Sequence, residues 1–267
     1  MNIGIVGCAG RMGRALLAAV HDAPDSHIAG GTDVAESGWV GRDLGEVLGR
    51  EAIGLAVGDD ARALFTVADA VIDFTSPKAT VLHARLAAET RTVWVLGTTG
   101  TSAAGDAAVA DAATKTAVVR AANMSVGVNL LIGLARKAAA ALDTEFDAEI
   151  LEFHHKHKVD APSGTALALG AAIADARGQD HDKVKVLGRH GVTGERRRGE
   201  IGYAVLRGGN VIGDHTVVFA GESERIELVH RAGSRDIFAR GALRAAHWAH
   251  GKPPGLYGMA DVLGLTD

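Results

Sequence analysis

Apolar positions in the first half of the chain fall in short runs at 2–6, 27–33, 70–74, 93–96 and 117–121. Each run has about the length of a buried strand. Between the first two, Leu16, Leu17 and Val20 recur at helical spacing, and alanine-rich segments at 78–89 and 103–113 predict two further helices. Strands alternating with helices predict βαβ units and a parallel sheet.

The pattern changes after residue 126. Positions 126–142 predict a helix, 146–153 alternate as a strand, and 165–177 predict a second helix. Strand candidates then follow with little helix between them, at 183–187, 200–207, 211–220 and 225–230. Gly208-Gly209-Asn210 predicts a hairpin-type connection. Such a run of strands predicts an antiparallel or mixed sheet in an α+β domain. Helical spacing returns at 234–250, with Leu243, Ala246 and Trp248 as apolar positions.

Composition narrows the class. The 267 residues suffice for one large or two modest domains, and 47% hydrophobic content supports a real core. Glycine, at 35 residues, exceeds its usual share of about 7% and predicts close backbone approaches to a ligand. A net charge of -4 argues against nucleic acid as a partner. Cys8 is the one cysteine, so no intramolecular disulfide forms, which fits a reducing compartment. The first residues carry no basic flank, and no apolar stretch approaches the roughly 18 residues that span a bilayer. A cytoplasmic protein without membrane contact is expected.

Gly7-Cys8-Ala9-Gly10-Arg11-Met12-Gly13 joins the first strand to the first helix. Glycines let the backbone turn tightly against a pyrophosphate, and the helix N-terminus offers N–H groups and positive dipole to the same anion. Asp33 stands at the end of the second strand, where an acid can bind a ribose 2′-hydroxyl. The G-x-x-G-x-x-G pattern is weak alone. The flanking strand and helix and the distance to Asp33 make a dinucleotide site the favoured expectation over a structural turn. Gly97-Thr98-Thr99-Gly100 and Ala121-Ala122-Asn123-Met124 also follow strands, where they are either cofactor contacts or ordinary turns. Cys8 is expected to be a small residue in a tight loop.

The run from Glu152 to Thr165, E-F-H-H-K-H-K-V-D-A-P-S-G-T, carries the densest chemistry. Metal binding would use His154, His155, His157 and Asp160. Lys156 and Lys158 place two cations in the same cluster, so no metal site is expected. A solvated charged strand end is a second possibility. The third is a cationic pocket for an anionic substrate, with histidine or lysine as general acid. Pro162-Ser163-Gly164-Thr165 strengthens it, because a turn at a helix start can bind a carboxylate.

On these motifs, together with V-I-D-F-T at 71–75 and N-M-S-V-G-V-N at 123–129, the chain resembles the 4-hydroxy-tetrahydrodipicolinate reductase (dihydrodipicolinate reductase) family from end to end. The resemblance implies a Rossmann-like parallel sheet domain, 1–125 completed by 235–267, that binds the dinucleotide. It implies an α+β domain at 126–234 that binds substrate and builds a homotetramer. It implies His154 and Lys158 as the catalytic pair, and His155, Ser163, Gly164 and Thr165 as contacts to a cyclic dicarboxylate. Cofactor contacts are implied at Gly7, Cys8, Ala9, Gly10, Arg11 and Met12, at Asp33, at Gly97, Thr98 and Thr99, and at Ala121, Ala122, Asn123 and Met124. The implied reaction is NADH- or NADPH-dependent reduction in the diaminopimelate route to lysine.

One position departs from the family. Val34 stands where many members carry an arginine for the 2′-phosphate of NADP, and Asp33 would repel that phosphate. A preference for NADH is expected. Met124 stands where phenylalanine is frequent, a soft apolar exchange. A semialdehyde dehydrogenase on the same plan would need a nucleophilic cysteine in the second half, which is absent. A non-catalytic dinucleotide sensor would have no need of His154 and Lys158. The basic stretch at 189–198 is expected to be a solvated loop, and the remaining histidines, His83 and His215 among them, to be structural or at the surface.

Overall fold

The computed structural model describes residues 1–266. In chain order its elements are β1 (Asn2–Val6), α1 (Arg11–His21), β2 (His27–Thr32), α2 (Leu44–Leu48), β3 (Val57–Gly58), α3 (Ala61–Val67), β4 (Ala70–Asp73), α4 (Thr80–Thr90), β5 (Val93–Leu96), α5 (Ala103–Ala113), β6 (Ala117–Arg120) and α6 (Val126–Leu142). They continue as β7 (Asp147–His154), α7 (Gly164–Ala176), α8 (His181–Val184), β8 (Lys185–Val186), β9 (Ile201–Arg207), β10 (Asp214–Ala220), β11 (Arg225–Arg231), α9 (Asp236–Ala249), β12 (Gly255–Tyr257) and α10 (Met259–Val262). The chain divides into two compact units, Met1–Val126 with Asp236–Asp267, and Gly127–Arg235.

The first unit is built on a seven-stranded sheet in the order β12-β6-β5-β4-β1-β2-β3. All of its pairings are parallel. Successive strand residues point to opposite faces. Ile3, Ile5, Ile72, Val95 and Val119 therefore meet Leu16 and Leu17 of α1 and the alanines of α9. Val71, Trp94, Leu96 and Val118 face the other way, toward Phe65 of α3, Leu86 of α4 and Val109 of α5. Leu16 and Leu17 are fully buried, and each stabilises the unit by roughly 1.5–3 kcal/mol. The chain leaves β1 outward through β2 and β3, then returns to place β4 on the other side of β1. That reversal opens a crevice at the strand C-termini, where Val6 pairs with Asp73.

The second unit holds a mixed five-stranded sheet in the order β11-β10-β7-β9-β8. Ala148 and Ile150 of β7, Ile201 and Tyr203 of β9, and Val217 and Phe219 of β10 form its covered face. They pack on Leu131 and Ala135 of α6 and on Leu169 and Ile173 of α7. The hairpin expected at Gly208-Gly209-Asn210 does not form. β7 lies between β9 and β10, parallel to one and antiparallel to the other. The connection crosses the C-terminal end of β7 instead, with the Gly208 N–H on the His154 carbonyl at 2.9 Å and the Lys156 N–H on the Gly209 carbonyl at 3.2 Å. The hairpin of this sheet joins β10 to β11.

One further expectation changes. The strand predicted at 183–187 shrinks to Lys185–Val186, because the Asp180 side chain accepts the Asp182 N–H and caps a helical turn. The basic stretch is the exposed loop expected, half-buried only at Arg196, and two of its arginines tie it to the start of β7. Arg196 bonds Glu149 and Asp147 and the carbonyls of Ala148 and Glu200, while Arg189 forms a fork with Glu149.

Candidate functional site

In the first unit the crevice is a cleft of about 800 Å³ lined by Gly7, Gly10, Asp33, Trp39, Thr75 and His83 among others. Gly7 adopts φ 69°, a left-handed conformation that favours glycine. Gly10 closes the turn, its N–H on the Gly7 carbonyl at 3.1 Å. As the residue before α1, Gly10 gives no side-chain cap, so the first-turn N–H groups remain available to an anion. A Cβ on Gly13 would lie 2.1 Å from the Gly7 oxygen, so the helix sits directly against the loop. These features fit a dinucleotide pyrophosphate.

Asp33 fastens the loop. Its carboxylate accepts the Ala9 N–H at 2.9 Å and the Val34 N–H at 2.8 Å. Cys8 is fully buried, and burial together with the Asp33 charge pushes its thiol up to about 12. Only its backbone serves the loop, donating to Thr32 at 3.0 Å. Met12 packs on the core, and Arg11 is exposed. Arg14 donates to the Ala9 carbonyl at 2.9 Å. The Arg14 and Arg42 guanidinium carbons lie 4.9 and 4.2 Å from the Trp39 ring centre.

Asp73 anchors the far side of the crevice. It is wholly buried and accepts the Thr75 N–H at 2.9 Å and the Thr75 hydroxyl at 2.7 Å, and its other oxygen meets His83 Nδ1 at 2.7 Å. Burial opposes its ionisation, but His83 and Thr75 outweigh burial and hold its pKa below the usual carboxylate range. Thr98 also reaches Asp73, at 3.4 Å. Gly97 lies against Phe74, where a Cβ would come within 2.3 Å of the ring. Thr99 and Ala122 are exposed, Ala121 and Asn123 are half-buried, and Asn123 accepts the Ser125 N–H at 2.8 Å. The Met124 side chain is buried in the core.

In the second unit, the site grows from the end of β7. Glu152 and His154 are two residues apart, so both project to the covered face. Glu152 is 1% exposed and accepts four bonds: His154 Nδ1–H, the Ser163 N–H at 3.0 Å, and two from Arg207 at 2.8 Å each. Burial would raise its pKa, but Arg207 and His154 lower it overall, so it stays ionised. His154 is shifted down by burial, against the pull of Glu152 and with help from Lys158 and Arg207, so the imidazole is neutral near neutral pH. Its Nε2 lies beside Gly213, where a Cβ would stand 2.9 Å away.

Lys158 Nζ pairs with Asp160 at 2.8 Å, and that contact holds Asp160 below the usual carboxylate range. Ser163 caps α7 by accepting the Ala166 N–H at 3.1 Å and meets His215 Nε2 at 3.1 Å. A Cβ on Gly164 would meet nothing within 4 Å, so the turn is open there. His155 is half-buried, and its Nδ1 is buried without a hydrogen-bond partner. Lys156 and His157 are exposed. Among the described residues, no group of three or more His, Cys, Asp and Glu side chains is placed to hold a metal ion.

Glu152, Arg207 and His215 were not expected here, nor Asp73, His83 and Trp39 in the cleft. Period-two alternation along 148–154 was the one available signal, since it places Glu152 beside His154. His215 lies 52 residues from Ser163, and Arg207 lies 55 residues from Glu152.

Residues 1–124 match the family model "Dihydrodipicolinate reductase, N-terminus", and residues 127–263 match "Dihydrodipicolinate reductase, C-terminus". A 4-hydroxy-tetrahydrodipicolinate reductase of Dinoroseobacter shibae is 53% identical over 264 residues, covering 99% of this chain and 98% of the relative. One of Parvibaculum lavamentivorans is 53% identical over 266 residues, with the same coverage. Among solved structures, a dipicolinate-bound dihydrodipicolinate reductase from Paenisporosarcina sp. TG-14 superposes with a TM-score of 0.80 at 26% identity, covering 98% of this chain and 99% of that one. An amine dehydrogenase from Mycobacterium smegmatis, at 14% identity and a TM-score of 0.58, shares the fold. The chain belongs to the dihydrodipicolinate reductase family.

Proposed function

We propose that the protein reduces 4-hydroxy-tetrahydrodipicolinate to tetrahydrodipicolinate with NAD(P)H, in the diaminopimelate route of lysine biosynthesis. Relatives at about half identity over the full chain carry that reductase name. The observation that carries the assignment to residues is the end of β7. There a buried, ionised Glu152 orients His154 beside Lys158 and an open helix start.

The unit Met1–Val126 with Asp236–Asp267 takes the dinucleotide-binding role, and Gly127–Arg235 takes the substrate-binding role. The turn Gly7–Gly13 receives the pyrophosphate and Asp33 the ribose, with 97–99 and 121–124 as the other cofactor contacts. A bound reduced nicotinamide supplies the hydride that adds at C4 of the ring, with loss of water. The enamine-like carbanion that results needs a proton. Lys158 donates it, since its ammonium is held in place by Asp160. His154, neutral and fixed by Glu152, supports the transfer through Nε2. His155, Ser163, Gly164 and Thr165 clamp a carboxylate and fix the ring, and such orientation is a large share of catalysis.

NADH is the preferred cofactor, because Asp33 repels a 2′-phosphate and Val34 offers no cation. The assembly is a homotetramer formed through the second unit's uncovered sheet face, where Leu151, Leu206 and Val229 are 38%, 47% and 46% exposed. The reaction takes place in the cytoplasm. Among the described residues, no helix is long and apolar enough to cross a membrane.

A coupled assay that generates the hydroxylated substrate and follows NADH or NADPH oxidation tests the proposal. Substrate-dependent oxidation is expected, and none with either cofactor would overturn it.

A further inference from the structure

Arg207 closes β9 directly opposite His154, which closes β7. Its guanidinium makes a two-pronged contact with Glu152 at 2.8 Å on each oxygen. The same Nη2 donates to the Asp160 carbonyl at 2.6 Å, and Nη1 donates to the Leu206 carbonyl at 2.7 Å. Glu152 in turn receives His154 Nδ1–H, and the Asp160 side chain holds Lys158. One planar group therefore reaches both arms of the site.

We propose that Arg207 is a positioning residue for this reductase site: it fixes Glu152 so that His154 keeps one tautomer, and it fixes the chain at Asp160 so that Lys158 keeps its place. This rests on the roles assigned above to His154 and Lys158.

The chemistry requires a guanidinium. Arginine presents five N–H donors in a rigid fork that matches a carboxylate, and a lysine ammonium is a point charge on a flexible stem. With Glu152 ionised and already accepting from Arg207 and Ser163, its remaining capacity takes the Nδ1–H of His154. That leaves Nε2 as the basic nitrogen, beside Gly213, where a Cβ would stand 2.9 Å from it. Loss of the fork lets Glu152 turn or take a proton, and His154 then populates both tautomers. The charged and titratable groups that face His154 are Glu152, Lys158, Arg207 and His215.

The test compares Arg207→Lys and Arg207→Ala with the parent enzyme. Three quantities are measured: kcat and KM, NADH affinity, and the ¹⁵N shifts of His154 across pH. Both variants are expected to bind NADH as the parent does and to lose kcat by about 100-fold, the scale of a small misplacement of reacting groups. KM should change less. His154 should show mixed tautomers in both variants. In Arg207→Ala its titration should move to higher pH, because one of the charges that opposes its protonation is gone. Arg207→Lys retains that charge and should show the tautomer mixture with little movement of the titration.

A parent-like kcat and a single His154 tautomer in Arg207→Lys would overturn the proposal. Where Arg207→Ala does not fold, Glu152→Gln keeps the shape and removes the charge that Arg207 holds. Mixed tautomers in it support the relay, and an unchanged tautomer overturns it. The tautomer measurement is independent of turnover. Full turnover in His154→Ala would instead overturn the role given to His154, so the two failures are distinguishable.

Discussion

His215 Nε2 lies 3.1 Å from the Ser163 hydroxyl, and both side chains are buried. Burial, and then the proximity of His154, pushes His215 down to about 4 from 6.5. A group whose folded pKa lies below its unfolded pKa gives stability that is complete above the unfolded value and lost as pH falls through the folded value. Stability should therefore fall between pH 6.5 and about 4, by up to about 3 kcal/mol from this group. Glu152 and Asp73, both held below the usual carboxylate range, add a further loss at lower pH. Denaturant unfolding across this range should show a flatter slope in His215→Asn than in the parent. Equal slopes would remove His215 from the account.

Gly13 and Gly10 should respond differently to alanine. The added Cβ on Gly13 meets the Gly7 oxygen at 2.1 Å, and that on Gly10 meets it at 3.3 Å. Gly13→Ala must displace the loop or the helix and should cost about 1–3 kcal/mol or more, with loss of NADH binding. Gly10→Ala needs a shift of a few tenths of an ångström and should remain folded. Thermal unfolding and NADH titration of both variants decide this, and equal behaviour would contradict the close packing.

Cofactor choice should depend on residue 34. Asp33 is already engaged with the Ala9 and Val34 N–H groups, and Val34 is 64% exposed beside it. A new cation there can reach a 2′-phosphate without disturbing the core. Val34→Arg should raise kcat/KM for NADPH by about 10- to 100-fold, the worth of one charge-assisted hydrogen bond. The parent should favour NADH. A clear NADPH preference in the parent enzyme counts against the Asp33 argument.

Removing the ammonium of Lys158 should abolish most turnover. Lys158→Ala is expected to lower kcat by about 10²–10⁴, the usual weight of a general acid, and to leave NADH affinity unchanged. Turnover retained at the parent rate would take Lys158 out of the mechanism.

Much of the first unit was legible because its signals are local. The runs at 2–6, 70–74 and 93–96 are short and mostly apolar, and the glycine turn after β1 has a mechanical reason for its composition. β3 and β12 escaped notice because strands of two and three residues carry too few positions to show a period. The Gly-Gly-Asn segment misled because the residues of a tight hairpin turn also suit a crossing connection, and only the placement of β7 decides between them. In the second unit, the histidine–lysine run was visible as a cluster in sequence. Its working geometry is not linear. Lys156 and His157 lie within the run and are exposed, while Arg207 and His215 come from β9 and β10. Long-range pairing of this kind leaves no trace in neighbouring residues.

The central place of β7 sets the order in which this site can come into being. Its two flanking strands are both synthesised after it, β9 from Ile201 and β10 from Asp214. Pairings between segments so far apart form slowly, because the intervening chain must be closed into loops first. Until then Glu152 has neither of the strands that bury it, and His154 lacks the group that fixes its proton. A nascent chain that has just completed the histidine–lysine run therefore carries the reactive residues without the reactive site.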